Sequence, residues 1–425
     1  MTKKICFHLL LILLLCMIGQ NASAFDVEAA NADGVTIYYN YINDGTELEV
    51  TSGVNSYWGT VNIPEEVTVN DQTLKVTGIE KKAFGGNWGV TSVTIPSSVT
   101  TIVDEAFGGT GITSITIPNS VTAIGEFAFG DCKALTSVYI GNGVTTIGKQ
   151  AFRFCHELTS VTLGNSVTTI GDFAFEGCQK LAALTIPNSV TTIGKYAFRD
   201  CWDLATAVIG DGVTTIGDEA FKHCQSLTFL SIGSVLANIN ASVFDECLSL
   251  SQVELTSNEI VSKDYTADSS IGKLYFGNKI RNFIIGEGVT AIGDNAFNGC
   301  TKLDISSTVR KMGKNLFTRF ATIEVICRAT TIPETDEETF TSNNLRNSTL
   351  HVLEASLETY RTTAPWSGFK NIVPITPTEV TVPIATQQPV VTERYDLSGR
   401  RTSQAQRGVS IVKMSDGTTK KVVVK

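Results

Sequence analysis

Apolar residues recur along most of the chain with a period of 23 residues. The repeated unit is clearest at 167–189, where VTTIGDFAFEGCQKLAALTIPNS contains an Ala-Phe pair that returns in the units on both sides. Because a unit of this length cannot bury an apolar face alone, such repeats predict a solenoid of stacked coils. The Phe of the pair falls at Phe84, Phe107, Phe129, Phe152, Phe175, Phe198, Phe221 and Phe244, and after a larger gap at Phe297 and Phe317.

Each coil divides into four parts in the pattern of apolar and polar positions. An L-x-x-L-x-I run at 181–186 predicts a short strand with its apolar side chains inward, and 187–189 predicts a turn. A second extended segment follows at 190–193, and 194–201 predicts a helical turn that closes the coil. We therefore predict a mostly β solenoid with one helical turn per coil of 23 residues. Residues at equal positions stack in columns, one of which is a solvated threonine ladder at Thr100, Thr122, Thr145, Thr168, Thr191 and Thr214.

The ends of the stack need segments that shield the outermost apolar layers from water. GVTIYYNYINDG at 34–45 alternates apolar and polar residues towards a hairpin turn at 43–45, and we assign this region to an N-terminal β cap. The sequence thus predicts a signal peptide at 1–24, an N-terminal cap at 25–76, regular repeats at 77–320, a C-terminal cap at 321–375, an extended linker at 376–394 and a β-rich tail at 395–425.

Two segments near the end of the repeats depart from the regular pattern. The gap between Phe244 and Phe297 indicates one enlarged coil, in which NEIVSKDYTADSS at 258–270 is expected to bulge as a loop. In the C-terminal cap, a helix is predicted at 355–362. Three apolar residues after it are expected to cover the last coil, namely Trp366, Phe369 and Ile372.

The first 24 residues have the pattern of a secretory signal peptide. Lys3 and Lys4 precede an apolar centre at 9–18, and the small residues at 22–24 form a cleavage site. A membrane anchor is the weaker interpretation, because the apolar run is shorter than the roughly 18 residues that a span requires. A lipoprotein signal at Cys16 is also weaker, because Leu15 before it is large for such a site.

The overall charge narrows the range of partners. The chain carries a net charge of −9, and loss of the signal peptide removes two further lysines. A chain with this net negative charge lacks the overall positive charge that is typical of proteins that bind nucleic acid. Beyond the signal peptide, no apolar run is long enough for a membrane span.

The cysteines form a further column, each three residues after a repeat Phe. Stacked coils place neighbouring Cα atoms about 4.8 Å apart, which a disulfide tolerates. Parallel side chains, however, hold their Cβ atoms farther apart than the roughly 3.8 Å of a disulfide. We therefore favour buried thiols over disulfides. We expect no metal or cofactor, because no His or second Cys falls at ligand spacing. The column contains Cys132, Cys155, Cys178, Cys201, Cys224 and Cys247, with Cys300 in the equivalent place.

The repeated text resembles the BspA-like leucine-rich repeats, whose units read close to L-T-S-V-T-I-P-N-S-V-T-T-I-G-x-x-A-F-x-x-C. LTSVYIGNGVTTIGKQAFRFC at 135–155 and LAALTIPNSVTTIGKYAFRDC at 181–201 carry this pattern almost letter for letter. With the caps, the resemblance spans residues 60–375. It implies a leucine-rich repeat solenoid in a secreted or surface-displayed bacterial protein, of a kind discussed as adhesins that bind host or neighbouring-cell proteins. It supplies no catalytic residues.

The C-terminal text separately resembles the sorting segments of type IX secretion. The similar pieces are YDLSGRR, RGVSIVKM and KKVVVK, all within 395–425. This resemblance implies that the tail directs the chain to the cell surface or the extracellular medium.

Uniform repeats leave little room for an enzyme, and we predict that the chain is noncatalytic. His156 and His223 each adjoin a cysteine of the column, an arrangement that hints at a thiol nucleophile. Adjacent residues at a coil corner usually point apart, and the cysteines are predicted to be buried. We therefore interpret both histidines as exposed turn residues.

A binding role follows instead from the long ridged surface of a solenoid. Aromatic side chains on such a surface are common interface anchors. The alternatives are a glycan-binding or glycan-processing surface protein and a purely architectural spacer; the oligomeric state stays open. The candidate contact residues are Tyr139 and Phe229 on the first strand, and Phe154, His156 and Trp202 at the turn.

Overall fold

The computed structural model describes residues 25–376, except 238, 241 and 278, and four strands between 391 and 424. The expected signal peptide at 1–24 and most of the expected linker lie outside the described residues. The chain forms two compact units, which meet between Pro374 and Ile375 in the sequence.

In the first unit, one strand of each coil pairs in parallel with the equivalent strand of the next coil. Leu184 lies opposite Ala207, which lies opposite Leu230. Leu184 and Ile186 are buried while Thr185 between them is exposed, because strand residues point alternately to the two faces. These long strands are Gly59–Asn62, Val90–Thr94, Ser114–Ile117, Ser137–Ile140, Ser160–Thr162, Ala183–Ile186, Thr206–Ile209, Phe229–Ile232, Gln252–Leu255, Asn282–Ile285, Lys302–Ile305, Glu324–Cys327, Thr349–Val352 and Asn371–Pro374.

A second strand of two residues follows the turn in the regular coils and stacks in the same way. Beside it, the Thr191 hydroxyl donates to the Thr168 carbonyl oxygen one coil earlier, at 3.2 Å. The members of this column are exposed, which confirms the solvated threonine ladder. The short strands are Thr101–Ile102, Ala123–Ile124, Thr146–Ile147, Thr169–Ile170, Thr192–Ile193, Thr215–Ile216, Ala291–Ile292, Lys311–Met312 and Glu334–Thr335.

The N-terminal region continues the sheet of short strands and covers the first coil. Its first three strands form an antiparallel meander, with a short 3-10 turn at Asn43–Gly45 where the hairpin turn is predicted. Its last strand pairs in parallel with the first short strand. The ring of Tyr57 lies 4.6 Å from that of Phe84, so the segment shields the end of the core. The strands are Val27–Ala30, Thr36–Ile42, Glu47–Thr51, Glu66–Val69 and Gln72–Ile79.

The corner that closes each coil differs from the predicted helical turn. Residues 194–201 form consecutive turns without helix. Tyr196 and Asp200 have φ values of 58° and 59°, and a right-handed helix cannot contain such a backbone. The backbone groups bond between coils instead, as where the Phe175 N–H donates to the Ala197 carbonyl oxygen at 2.7 Å. The corner is therefore a third ladder of hydrogen bonds between coils.

The repeat Phe residues form one continuous file inside the stack, as predicted. The rings of Phe152 and Phe175 have centroids 5.1 Å apart and planes within 7° of parallel. Phe175 and Phe198 repeat this contact at 5.3 Å and 2°. All three side chains are fully buried. The file runs without interruption from Phe84 to Phe244.

The cysteine column consists of buried free thiols, as favoured from the sequence. Cys155 donates to the carbonyl oxygen of Phe129, 3.2 Å away and one coil earlier. Burial raises the pKa of the Cys155 and Cys178 thiols well above the usual value. The column therefore contributes small apolar groups that also satisfy backbone carbonyls.

The enlarged coil forms the expected loop over 262–270, after a single helical turn at Asn258–Val261, but the segment is anchored in the core. Ile260 and Tyr265 from this segment are buried, and a solvated loop would leave them in water. Phe276 lies in the core, and its ring is 5.7 Å from that of Phe244. The insertion thus continues the aromatic file across the gap. Its two short helices are Asn258–Val261 and Ile271–Phe276.

The end of the first unit is closed by aromatic side chains. Trp366 is fully buried, and its ring lies 5.1 Å from that of Phe340. Phe369 contacts the same ring at 5.0 Å, and Ile372 is half-buried in the last long strand. These residues cover the last coil as expected. The helical segments of this region are Ser342–Asn347, Glu354–Ser356, Leu357–Thr362 and Trp366–Gly368.

The second unit contributes four described strands that pair antiparallel. The Asp416-Gly417 pair, whose sequence is typical of a hairpin turn, lies outside the described residues. The strands are Val391–Tyr395, Arg401–Thr402, Gly408–Met414 and Thr419–Val424.

Candidate binding surface

The candidate residues on the long strands do not form a cluster. Tyr139 lies on the outward face of Ser137–Ile140 and is 45% exposed. Phe229 begins the strand Phe229–Ile232 and is half-buried. The two residues are four coils apart, a distance of roughly 19 Å at a spacing of about 4.8 Å between neighbouring strands.

The candidates at the turn lie closer together. The rings of Phe154 and His156 are 5.9 Å apart, and both side chains are half-buried. Trp202 occupies the same column as His156, two coils later and roughly 10 Å away. Its side chain is 45% exposed. The structure therefore brings Phe154 and His156 into contact, with Trp202 further along the same edge.

A compact group of aromatic and cationic side chains surrounds Phe154. The guanidinium carbon of Arg153 lies 4.4 Å from the ring centroid of Phe154 and 5.4 Å from that of Phe173. Phe173 stacks on Tyr196 of the next coil, with centroids 4.8 Å apart and planes 16° from parallel. The guanidinium carbon of Arg199 lies 5.3 Å from the Tyr196 ring. We call these five residues the aromatic corner.

The backbone of this corner favours glycine, yet it carries large side chains. Phe154, Phe173 and Tyr196 have φ values of 61°, 58° and 58°. The left-handed region costs a residue with a Cβ about 1–2 kcal/mol. The column of Phe154 holds glycine at Gly109 and Gly177. The same left-handed backbone recurs at Glu105, Gln150 and Glu219 in other coils, so it belongs to the corner of the solenoid whichever side chain it carries.

A carboxylate lies beside each of the two guanidinium groups. Arg153 donates to the carboxylate of Glu176, which is only 6% exposed. Arg199 lies 3.5 Å from Asp200, whose carboxylate is also 2.8 Å from Nδ1 of His223. Charge-assisted contacts of this kind fix side-chain geometry more firmly than neutral hydrogen bonds do. Arg153 is therefore held in place before any partner binds, whereas Nε of Arg199 is buried without a hydrogen-bond partner among the described residues.

The sequence analysis missed four members of the aromatic corner. Phe173 and Tyr196 lie two positions before their repeat Phe, while Arg153 and Arg199 lie one position after it. Comparing equal positions in adjacent repeats would have shown two aromatic residues stacked in one column and two arginines beside them. The candidates predicted from the sequence came instead from the outward positions of the long strand and from the residues around the cysteine of each coil.

The neighbouring cysteine and histidine residues do not form an activated nucleophile. Burial raises the pKa of the Cys155 and Cys224 thiols, whereas a reactive cysteine needs a lowered pKa. The Cys224 thiol donates to a backbone carbonyl oxygen at 3.4 Å, and Nδ1 of His223 pairs with Asp200.

Within residues 25–376 and the four later strands, no group of three or more His, Cys, Asp or Glu side chains is placed to hold a metal ion. None of the helices found in these same residues combines the length and apolar character of a membrane span.

The stacked parallel strands and repeated Phe and Cys columns define a solenoid of the leucine-rich repeat class. The chain belongs to the family described as the BspA type leucine rich repeat region. The model of that family matches in six copies, over residues 77–205, 145–271 and 269–364.

Several solved structures are similar to this chain. A leucine-rich repeat protein from Bacteroides ovatus is 25% identical, with a TM-score of 0.37, over 80% of this chain and 98% of that one. A leucine-rich cell surface protein from Faecalibacterium prausnitzii is 19% identical, with a TM-score of 0.35, over 83% and 96%. The T. pallidum leucine-rich repeat protein is 26% identical, with a TM-score of 0.37, over 50% and 87%. A search of curated proteins found no match.

Proposed function

We propose that this chain is a noncatalytic, exported module that binds proteins of a host or of neighbouring cells, in the manner of an adhesin. The observation that carries the proposal is the stack of Phe173 on Tyr196, flanked by Arg153 and Arg199. Aromatic residues and arginine supply most of the binding energy at protein interfaces. The ion pair between Arg153 and Glu176 orders part of this surface before binding, which lowers the entropic cost of association.

The residues selected from the sequence take positions around this centre. Phe154 is part of the aromatic corner, and His156 contacts it. Trp202 on the same edge, and Tyr139 and Phe229 on the long strands, serve as outlying contacts for a partner that extends along the solenoid. Such residues form the rim of an interface and contribute less than its centre.

Export and domain division form part of the same proposal. Residues 1–24 act as a cleaved signal peptide, the caps and repeats fill 25–375, and a linker at 376–394 leads to a sorting tail at 395–425. Deletion of 395–425 should leave the chain in the periplasm. Unchanged surface exposure of the truncated chain would refute the sorting role.

The binding proposal is tested with immobilised purified chain and separate preparations of host and bacterial cell-surface proteins. A protein captured reproducibly is identified and purified, and its Kd is measured against wild type and variants. Phe173→Gly and Tyr196→Gly should each weaken binding by roughly 10- to 30-fold. Asn315→Gly is the matched control, because Asn315 occupies the same column with a φ of 54° in a distant coil.

The outcomes separate protein binding from the spacer hypothesis. Loss of binding in the corner variants, with binding retained in the control, supports the proposed surface. Equal binding by all variants places the contact elsewhere on the solenoid. Failure to capture any protein from either preparation favours the spacer hypothesis and contradicts the adhesin-like function.

A further inference from the structure

Two tryptophans near the N-terminal cap are far more exposed than the aromatic corner. Trp58 is 64% exposed and Trp88 is 71% exposed. Their rings meet edge to face, with centroids 4.9 Å apart and planes at 76°. Exposure of this size excludes a role in the hydrophobic core, so the pair needs an explanation of its own.

The backbone holds the pair in place. The Trp58 ring lies on Gly89, where an added Cβ would come within 2.1 Å of Cε3 of the indole. The Gly59 N–H donates to the Gly89 carbonyl oxygen at 2.7 Å. This bond joins the start of the strand Gly59–Asn62 to the residue before the strand Val90–Thr94. The Trp88 N–H donates to the Gly86 carbonyl oxygen at 2.9 Å. The two rings therefore form a fixed platform at the start of the solenoid.

The chemistry around the platform is neutral and polar. Segments 52–60 and 85–92 contain Gly, Ser, Thr, Asn, Val, Tyr and Trp but no charged residue, within a chain of net charge −9. The indole N–H groups of Trp58 and Trp88 make no hydrogen bond to any residue among those described, so both can donate to a ligand.

A neutral sugar matches this surface better than a charged ligand or side chain does. A pyranose ring has a face of C–H groups with partial positive charge, which packs against the negative face of an aromatic ring. Its hydroxyl groups accept hydrogen bonds from indole N–H groups. A charged partner would lose hydration here without gaining a counter-ion. We propose that Trp58 and Trp88 form a binding site for neutral hexose polymers, separate from the aromatic corner.

The test is electrophoresis of the purified chain through gels that contain a neutral polysaccharide. The probes are a soluble α-glucan, a β-1,3-glucan, a mannan and a galactan, with polygalacturonate as the charged comparison. We expect retardation by at least one neutral polymer. Titration of that polymer against tryptophan fluorescence then gives a Kd, which should weaken at least about tenfold in Trp58→Ala and Trp88→Ala.

Two further variants distinguish the platform from general surface effects. Gly89→Ala keeps both indoles but forces the Trp58 ring to move, so it should weaken binding as strongly as removal of the ring does. Leu248→Ala changes an exposed apolar side chain elsewhere, which is 65% exposed, and should bind like wild type. Urea unfolding of each variant establishes that the fold is retained.

Three results would overturn the proposal. The first is no retardation by any of the neutral polymers. The second is a Kd that is unchanged in both tryptophan variants. The third is a dimer of the wild-type chain in sedimentation velocity that Trp58→Ala abolishes, because the pair would then be an interface between copies. None of these results bears on protein binding by the aromatic corner, so the two proposals fail separately.

Discussion

The thiol of Cys178 donates a hydrogen bond to the carbonyl oxygen of Phe152, 3.3 Å away and one coil earlier. The same contact recurs from Cys132 to Cys247, so the cysteine and Phe columns are linked at every step. A thiol is small enough for the interior and still satisfies a backbone acceptor that burial would leave unpaired. The column is therefore part of the core and does not form a redox site.

We expect the thiols to be inert in the folded protein. The described residues include eight cysteines, all free and buried, and burial disfavours the thiolate that reacts with disulfide reagents. An aromatic disulfide reagent should modify few or none of them at neutral pH in native buffer. In strong denaturant it should modify all eight. Rapid modification of several thiols in the native state would show that the column is open to solvent.

We also expect alkaline pH to destabilise the protein through these thiols. Burial raises the pKa of Cys132 to about 11 from an ordinary value of 9.0. Between these values the unfolded chain binds fewer protons than the folded one, so the free energy of unfolding falls as pH rises. The contribution is fully present below pH 9 and is lost as pH rises towards 11, by up to about 1.4 kcal/mol per pH unit for each thiol.

Urea unfolding at several values between pH 8 and pH 10 measures this dependence. The buried tyrosines Tyr39 and Tyr57 add to the decline near pH 10, because burial raises their pKa above the ordinary value of 10.0 at which the unfolded chain titrates. Cys132→Ser keeps a hydrogen-bond donor but cannot titrate, so the variant should show a shallower decline than wild type. Identical slopes for the two proteins would contradict the assignment to this thiol.

The turn after the strand Ser137–Ile140 brings two coils into close contact. At Gly143, an added Cβ would lie 1.9 Å from the backbone oxygen of Asn119. We therefore expect Gly143→Ala to destabilise the protein by about 1–3 kcal/mol through overpacking. Gly272→Ala is the control, because its Cβ would meet nothing closer than 3.6 Å and it lies in the helix Ile271–Phe276. That change should be neutral or stabilising by up to about 1 kcal/mol. Equal effects in urea unfolding would contradict the close approach.

The sequence predicts the coils well because each column repeats the same physical requirement. Phe175, Cys178 and Leu184 recur in period and are buried as expected. Thr191 recurs and is exposed as expected. Seven or more copies of one pattern identify the inward positions even where a single copy would be ambiguous.

The corner could not be predicted from local propensity. The text around Tyr196 and Phe198 has the apolar spacing of a helical turn, but the left-handed backbone at Tyr196 appears only when neighbouring coils supply the hydrogen-bond partners. Tertiary contacts decide the conformation there. In the enlarged coil the loop was predicted but its anchoring in the core was not, because Ile260 and Tyr265 fill space that regular coils leave to their own repeat residues.

The binding surfaces were only partly accessible to sequence reasoning. Phe154, His156 and Trp202 were found because they interrupt polar columns. The contact between Trp58 and Trp88 joins the cap to the first coil, and no repeat period connects these two positions. Such a pair becomes visible only once the cap is placed against the stack.

The most direct test of the stacked-coil structure compares two phenylalanines that are two residues apart. Phe175 lies in the buried file, and Phe173 lies on the aromatic corner with a left-handed backbone. In urea unfolding, Phe175→Ala should lower the free energy of unfolding by about 3–5 kcal/mol. Phe173→Gly should change it by less than about 1 kcal/mol, because relief of the backbone offsets the lost ring contacts. Equal losses for the two variants, or a larger loss for Phe173→Gly, would contradict the placement of one ring inside the solenoid and the other on its surface.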